Sequence, residues 1–394
     1  MMITKNNELR IELIASEEAF VAIKDEWDHL IEKSIDSSFY ATYPFIHTAW
    51  KHYRSENDKL FILVVRRGAT LVGIAPFRIE HVKLGNIRLL RGIQLRVIRF
   101  IAEWGNGDKP SIVTSEEPEQ IWDGIFQYLI KDYTQWDLLS LAEQPANSPI
   151  RNQRILSNIW YSGRAVPEST SYYISITGTW EEYLINRKNT QRTWKKDRKK
   201  LFSHPEGVHF QYFECPDTLP GALNRFIAIE QSGWKKNSDF SVGGNEINKR
   251  FYEELLIHLA QKNMVAIYLL TLGTTDIAGA LRYKYNNTIY ASQITYNPMY
   301  AEYSPGVILN AEIIKSLFGT HYKKCDLLGF RGEENSLKKN WSTGALQTMT
   351  IQIYKKSLRM FLYMNEDTVK NTLRKFKAIM TGHQPSEQTQ VTEQ

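Results

Sequence analysis

Three β-rich runs follow one another with only turn-length gaps, at Val265–Leu272, 277–285 and Thr288–Tyr296, and a helical pattern begins at Pro305. Two more strand-like runs, Lys324–Leu328 and 346–354, come after that helix. Strands joined by tight turns pair antiparallel, whereas a strand that returns after a helix can pair in parallel. The order therefore specifies an α/β fold with a mixed, mostly antiparallel sheet flanked by helices. It argues against a doubly wound dinucleotide-binding sheet, and no GxGxxG occurs.

The first half reads alike. Phe20, Ile23, Trp27, Leu30 and Ile31 recur at helical spacing over 17–33, with Ser16 as N-cap. A hairpin follows at 60–66 and 70–79, then strands at 96–102 and near 111–113, a helix over 118–132 and a buried strand at 136–141. Three prolines fall between residues 144 and 169, which sets the division there. The expected organisation is one fold used twice, over 1–165 and 166–360, then a basic amphipathic helix over 361–380 and a polar, disordered tail over 381–394.

The second half opens with a helix predicted over 179–201. Eight basic residues and one acid lie between Arg187 and Lys200, a surplus of seven charges against +6 for all 394 residues. The rest of the chain is near neutral, so an anionic partner should meet this helix. Arg187, Gln191, Trp194, Arg198 and Leu201 share one face by their 4-3-4-3 spacing, with Lys195, Lys196, Lys199 and Lys200 pointing outward. Phosphate-bearing acceptors, a lipid surface and tRNA compete for that face with a plain solvated reading.

Hydrophobic residues make up 42% of the chain, and no apolar run is long enough to span a bilayer. Cys215 and Cys325 have no ligand-like spacing, so neither a disulfide framework nor a metal site is expected. The opening residues lack the pattern of a signal peptide, which predicts a cytoplasmic protein. The basic amphipathic run over 355–380 suits docking on the inner face of a membrane as well as packing on the core.

Several constellations could carry chemistry. Ser304-Pro305-Gly306 stands directly before the helix over 305–318: Ser304 suits the N-cap, Pro305 the first helical position, and Gly306 gives a phosphate access to the backbone N–H groups there and at Val307. Glu230 lies four residues before Trp234, and a carboxylate against an aromatic wall has its pKa raised toward that of a general base. Lys235 is a candidate for an acceptor's carboxylate or phosphate. Tyr296 and Tyr303 (with Tyr290) are candidates to protonate a leaving group. Gly329 follows a strand end, where ligand contacts gather. Each of these residues also has an ordinary reading: a capped helix, a surface charge, a packing tyrosine.

In order and spacing, several fragments resemble the BioF2-like acetyltransferase family, which includes the CelD/BcsL cellulose-biosynthesis proteins and is related to the Fem peptidyltransferases. They are Glu26-Trp27-Asp28-His29-Leu30 with Ser38-Phe39, the basic run 187–201, Glu230-Gln231-Ser232-Gly233-Trp234-Lys235, Ser304-Pro305-Gly306, and Asp326-Leu327-Leu328-Gly329 with Lys338 and Trp341. The resemblance implies tandem GNAT-like domains and transfer of an acyl group from acyl-CoA (acetyl-CoA as co-substrate) to an amine or hydroxyl. It also implies a small-molecule or glycan acceptor such as an amino sugar, in envelope or exopolysaccharide pathways. Lys338 and Trp341 match the family's K-x-x-W and would close over the acceptor, with Arg187, Arg198, Trp234, Lys235 and Gly329 as the other substrate contacts. The family's donor loop, Q/R-x-x-G-x-G/A, is altered here to Glu302-Tyr303-Ser304-Pro305-Gly306-Val307. Two further readings stay open: a Fem-like aminoacyl transferase using aminoacyl-tRNA, and a non-catalytic GNAT-like scaffold.

Overall fold

A computed structural model describes residues 8–34, 38–83, 93–105, 107–146, 148–151, 161–329 and 336–365. The chain begins with β1 (Leu9–Ile14), α1 (Glu17–Ala22), α2 (Lys24–Lys33) and α3 (Tyr43–Tyr53). Next come β2 (Lys59–Arg67), β3 (Thr70–Lys83), β4 (Gln94–Phe100), β5 (Val113–Thr114), α4 (Pro118–Lys131) and β6 (Leu138–Pro145). The second half starts with β7 (Tyr161–Ser175), α5 (Trp180–Ile185), α6 (Lys188–Phe202), β8 (Val208–Phe213), α7 (Leu219–Gln231) and α8 (Glu246–Gln261). It ends with β9 (Val265–Leu272), β10 (Thr275–Tyr285), β11 (Thr288–Tyr296), α9 (Pro305–Leu317), β12 (Lys324–Leu328), α10 (Ser336–Trp341), β13 (Gly344–Lys355) and α11 (Leu358–Met364).

All the strands join one mixed sheet in the order β1-β2-β3-β4-β6-β13-β7-β12-β11-β10-β9-β8, with β5 on β3. Its two outer five-strand runs mirror each other about the central pair β13–β7. Each run is an antiparallel series that closes on one parallel pair: β4 with β6 across α4, and β11 with β12 across α9. A helix between two strands is what lets them run parallel, so the repeated order in the sequence becomes a repeated topology. The division drawn at residue 165 falls inside β7, and β13, from the C-terminal end, pairs with both β6 and β7.

Side chains from both halves fill a common core. Phe39 stacks on Tyr283 at 4.1 Å, and Phe45 and Tyr53 of α3 meet Phe251 of α8. Burying an aromatic ring of this kind contributes about 2–3 kcal/mol, so the contact between halves is a major stabilising element.

Two helices read as continuous are broken. Residues 17–33 divide at Ile23, whose backbone leaves the helical region (φ −88, ψ 4). Residues 179–201 divide at Asn186 and Arg187, because the Arg187 side chain turns back to donate to the carbonyls of Tyr183 and Ser342. Of the basic run over 355–380, α11 is described, and 366–394 lie outside the described residues. In α11 Met360 is buried, while Leu358 and Phe361 are exposed. No helix among the described residues is long and apolar enough to cross a membrane.

Candidate active site

The parallel pair β11–β12 makes three register contacts: Thr288 with Lys324, Ile289 with Cys325, and Tyr290 with Asp326. Just beyond, Arg282 of β10 stands opposite two residues of β11, Ala291 and Ser292, since Leu281 pairs with Gln293 and Tyr283 with Tyr290. An extra residue of this kind bends its strand. Here the bend coincides with the parting of β11 from β12, and a cavity of about 520 Å³ opens in the gap. That volume is in the range that holds a small-molecule ligand.

Ser304, Pro305, Gly306 and Val307 form one wall, with Asn310 a turn further along α9. Pro305 has no N–H, and the first helical bond is Ile308 N–H to Ser304 O. The N–H groups of Gly306 and Val307 therefore have no acceptor within the helix, and they sit at its positive end. Ser304 is corrected in one respect: it occupies the N-cap position but is left-handed (φ 51, ψ 45), and its hydroxyl makes no capping bond. The Tyr296 ring lies close beside Gly306, 3.5 Å from where a Cβ would stand.

Leu327, Leu337, Lys338 and Trp341 also line the cavity, as do Gly233, Lys235 and Arg282. Lys235 Nζ donates to Gln293 Oε1 at 3.2 Å and to Ile294 O at 2.8 Å. Lys338 Nζ donates to the carbonyls of Leu328 and Gly329, both at 3.2 Å. Burial lowers the pKa of both lysines. Lys338 falls to about 8, since Lys109 and Arg282 add to its desolvation and outweigh Asp108 and Asp326. For Lys235, desolvation and Arg282 outweigh Glu230.

Of the residues singled out in the sequence, Tyr296, Ser304, Pro305, Gly306, Val307, Lys235, Lys338 and Trp341 meet at this cavity. Glu230 does not line it. It is buried, with Oε2 accepting the Gly243 N–H at 2.9 Å and Oε1 without a hydrogen-bond partner among the described residues. Desolvation pushes its carboxyl up, against that N–H and Lys235. The Trp234 side chain, the expected wall for Glu230, lies outside the described residues. Gly329 stands one layer behind, its N–H donating to Asp108 Oδ2 at 2.6 Å.

Tyr303 and the two arginines are elsewhere. Tyr303 packs on His204 under the Lys200 ammonium, away from the lining. Arg187 clasps backbone carbonyls, and Arg198 Nε pairs with Glu312 of α9 at 2.6 Å while its guanidinium covers Phe202. Their inward face is as the spacing predicts, with Trp194 and Leu201 buried, but their partners are structural rather than ligands.

Arg282 and Asn310 were missed. A signal existed: in a strand with a period of two, Ala278, Ala280 and Arg282 share a face, and a charge following two core alanines is out of place.

Residues 188–338 match the family model described as an acetyltransferase (GNAT) domain, a stretch that holds every lining residue except Trp341. A search of the curated proteins finds no match. Among solved structures, FemX is 10% identical, with a TM-score of 0.58 over 90% of this chain and 99% of that one. A conserved protein of unknown function from Bacteroides thetaiotaomicron VPI-5482 is 9% identical, with a TM-score of 0.54 over 88% and 100%. The C-terminal domain (DUF2156) of a putative lysylphosphatidylglycerol synthetase from Agrobacterium fabrum is 9% identical, with a TM-score of 0.53 over 89% and 96%. At these identities the likeness is one of fold. Over residues 188–338 the chain is thus similar to GNAT acetyltransferase domains, and the mixed sheet around the cavity is consistent with that likeness.

Proposed function

We propose that the protein transfers an acyl group from an acyl-CoA thioester to an amine or hydroxyl acceptor. The observation that carries this is the parting of β11 from β12 beside the uncapped start of α9. Backbone N–H groups for a phosphate and a slot for an extended arm thus open into one cavity. A thioester held there is fixed in place, and the cationic surroundings stabilise negative charge as it develops on the carbonyl oxygen and the departing sulfur. Tyr296, on the wall beside Gly306, is the phenol available to return a proton to the thiolate. Lys235 and Lys338 also line the cavity and orient the acceptor, and Glu230 holds Lys235 electrostatically rather than contacting substrate.

The acceptor class follows from the BioF2-like resemblance: a small amine or hydroxyl compound such as an amino sugar of an envelope or exopolysaccharide pathway. The two-unit division at about residue 165 and the docking of the C-terminal basic run on a membrane face belong to this reading as well.

A second reading is favoured by α6. Lys188, Arg192, Lys195, Lys196 and Lys199 are exposed and make no ion pair among the described residues, a surface suited to tRNA in a Fem-like aminoacyl transfer. A pocket too narrow for a pantetheine arm, or blocked by side chains at Gly306, would favour the scaffold reading; Gly306 lines a cavity of about 520 Å³, which supports a ligand instead. The test is calorimetric titration of the full chain with acetyl-CoA and, separately, with bulk tRNA at low salt. Heat with acetyl-CoA alone supports the thioester donor. Binding to tRNA alone, falling steeply with salt, transfers the assignment to aminoacyl transfer.

A further inference from the structure

Arg282 is 1% exposed, yet it forms no ion pair among the described residues. Its acceptors are neutral: the carbonyls of Leu281 at 3.1 Å and Gln293 at 2.9 Å, and Asn310 Oδ1 at 2.7 Å. Its Nε is buried with no hydrogen-bond partner among the described residues. A guanidinium keeps its proton in a protein, so this is a full positive charge out of water with no counter-ion among the described residues, a costly arrangement unless an anion completes it.

The residue touches the cavity wall, and Asn310 shows where the charge is directed. Arginine has no acceptor, so Asn310 must turn its oxygen toward Arg282. Its NH₂ group is thereby left for the cavity that the residue also lines. Asn310 is four residues after Gly306 and three after Val307, on the same face of α9. The loop itself carries Glu302 where the family pattern has a cation, and Glu302 is engaged by Lys200 at 2.7 Å.

We infer that Arg282, acting through Asn310, is the counter-charge for the donor's diphosphate, supplied from strand β10 beneath the helix start in place of a cation on the loop. The donor is thereby a diphosphate-bearing carrier, and the phosphates rather than the arm give it affinity. This rests on the acyl-CoA reading above.

The experiment titrates the full chain with CoA and with pantetheine, the same arm without phosphates, by calorimetry at fixed ionic strength. Two variants are compared with the wild type: Arg282→Met, which removes the charge, and Asn310→Asp, which supplies it with an internal anion. The wild type is expected to prefer CoA by about tenfold or more, the worth of one charge-assisted hydrogen bond. In either variant the preference should close to within about twofold, with the unliganded melting temperature unchanged or raised, because an unpaired buried charge has been removed or paired. If Arg282→Met fails to fold, Asn310→Asp alone decides. A preference for CoA that persists in a folded variant, or an equal loss for both ligands, overturns the inference and leaves the donor reading standing. A wild type that binds neither ligand overturns both.

Discussion

Lys338 shows how far burial sets chemistry at a single residue. Its ammonium is taken from water onto two carbonyls, and its pKa drops from the ordinary 10.5 to about 8. Between those two values the unfolded chain binds a proton that the folded chain has released, so stability rises with pH through the window. Below about pH 8 the whole penalty remains. Wild type should gain roughly 2 kcal/mol from Lys338 between pH 7.5 and 9.5, and Lys338→Met should lack that part of the slope. Urea unfolding of both proteins at the two pH values measures it, and equal slopes would mean that the amine is not desolvated. The sequence marked Lys338 through its K-x-x-W spacing, but the two carbonyls it holds depend on Leu328, a non-glycine residue at φ 64 that no pattern announces.

The elements themselves were largely legible, for a physical reason. Val265–Leu272 is buried along its whole length, and apolar β-rich runs between turns declare such strands. Four elements were missed: β1, α3, β7 and α10. β7 has a polar, largely exposed middle with Pro167 inside it, so its strand character comes from pairing with β13 and β12 and not from its own residues. The cavity was half legible: the α9 loop stood out as a turn before a helix, whereas the bulge opposite Arg282 is a register event between two strands. Helix α9 also allows fold and ligand seat to be separated. A Cβ on Gly306 meets Tyr296 at ordinary contact distance, and its φ is not positive. Gly306→Ala should therefore stabilise the protein, by a few tenths to about 1 kcal/mol, through the unfolded chain. Gly306→Val should fold with a similar urea midpoint yet lose donor binding by about tenfold or more, since its extra methyl groups occupy the space before the N–H groups. Unaltered acetyl-CoA heats in Gly306→Val would move the donor away from this wall.

At the scale of the molecule, the cavity is held in shape from the first half of the chain. Lys109 Nζ donates to Asp108, to Ser171 Oγ at 2.7 Å and to Asp326 Oδ1 at 3.3 Å, a contact spanning 217 positions. Three non-glycine residues with left-handed backbones converge there, and each is pinned by a carboxylate accepting its N–H: Lys109 by Glu143, Glu143 by Glu168 and Leu328 by Asp326. Such backbones persist only where their surroundings over-determine them. Desolvation works against the charges at both ends of this network, yet Asp108 and Asp326 hold the Lys109 pKa up, and Lys109 with Lys324 holds Asp326 down. Since Asp108 also takes the Gly329 N–H, the network fixes the carbonyls that seat Lys338. Strand β13 runs between the two mirrored strand runs, so neither half completes its sheet alone. Lys109→Met should then cost about 3–5 kcal/mol by leaving buried Asp108 without its cation and Asp326 with Lys324 alone. It should lower one shared unfolding transition instead of splitting it. Far-ultraviolet circular dichroism and tryptophan fluorescence, followed together through a urea titration, are expected to coincide in both proteins. Two separated transitions in the wild type would show that the halves fold independently and that the first half is not part of the candidate site's frame.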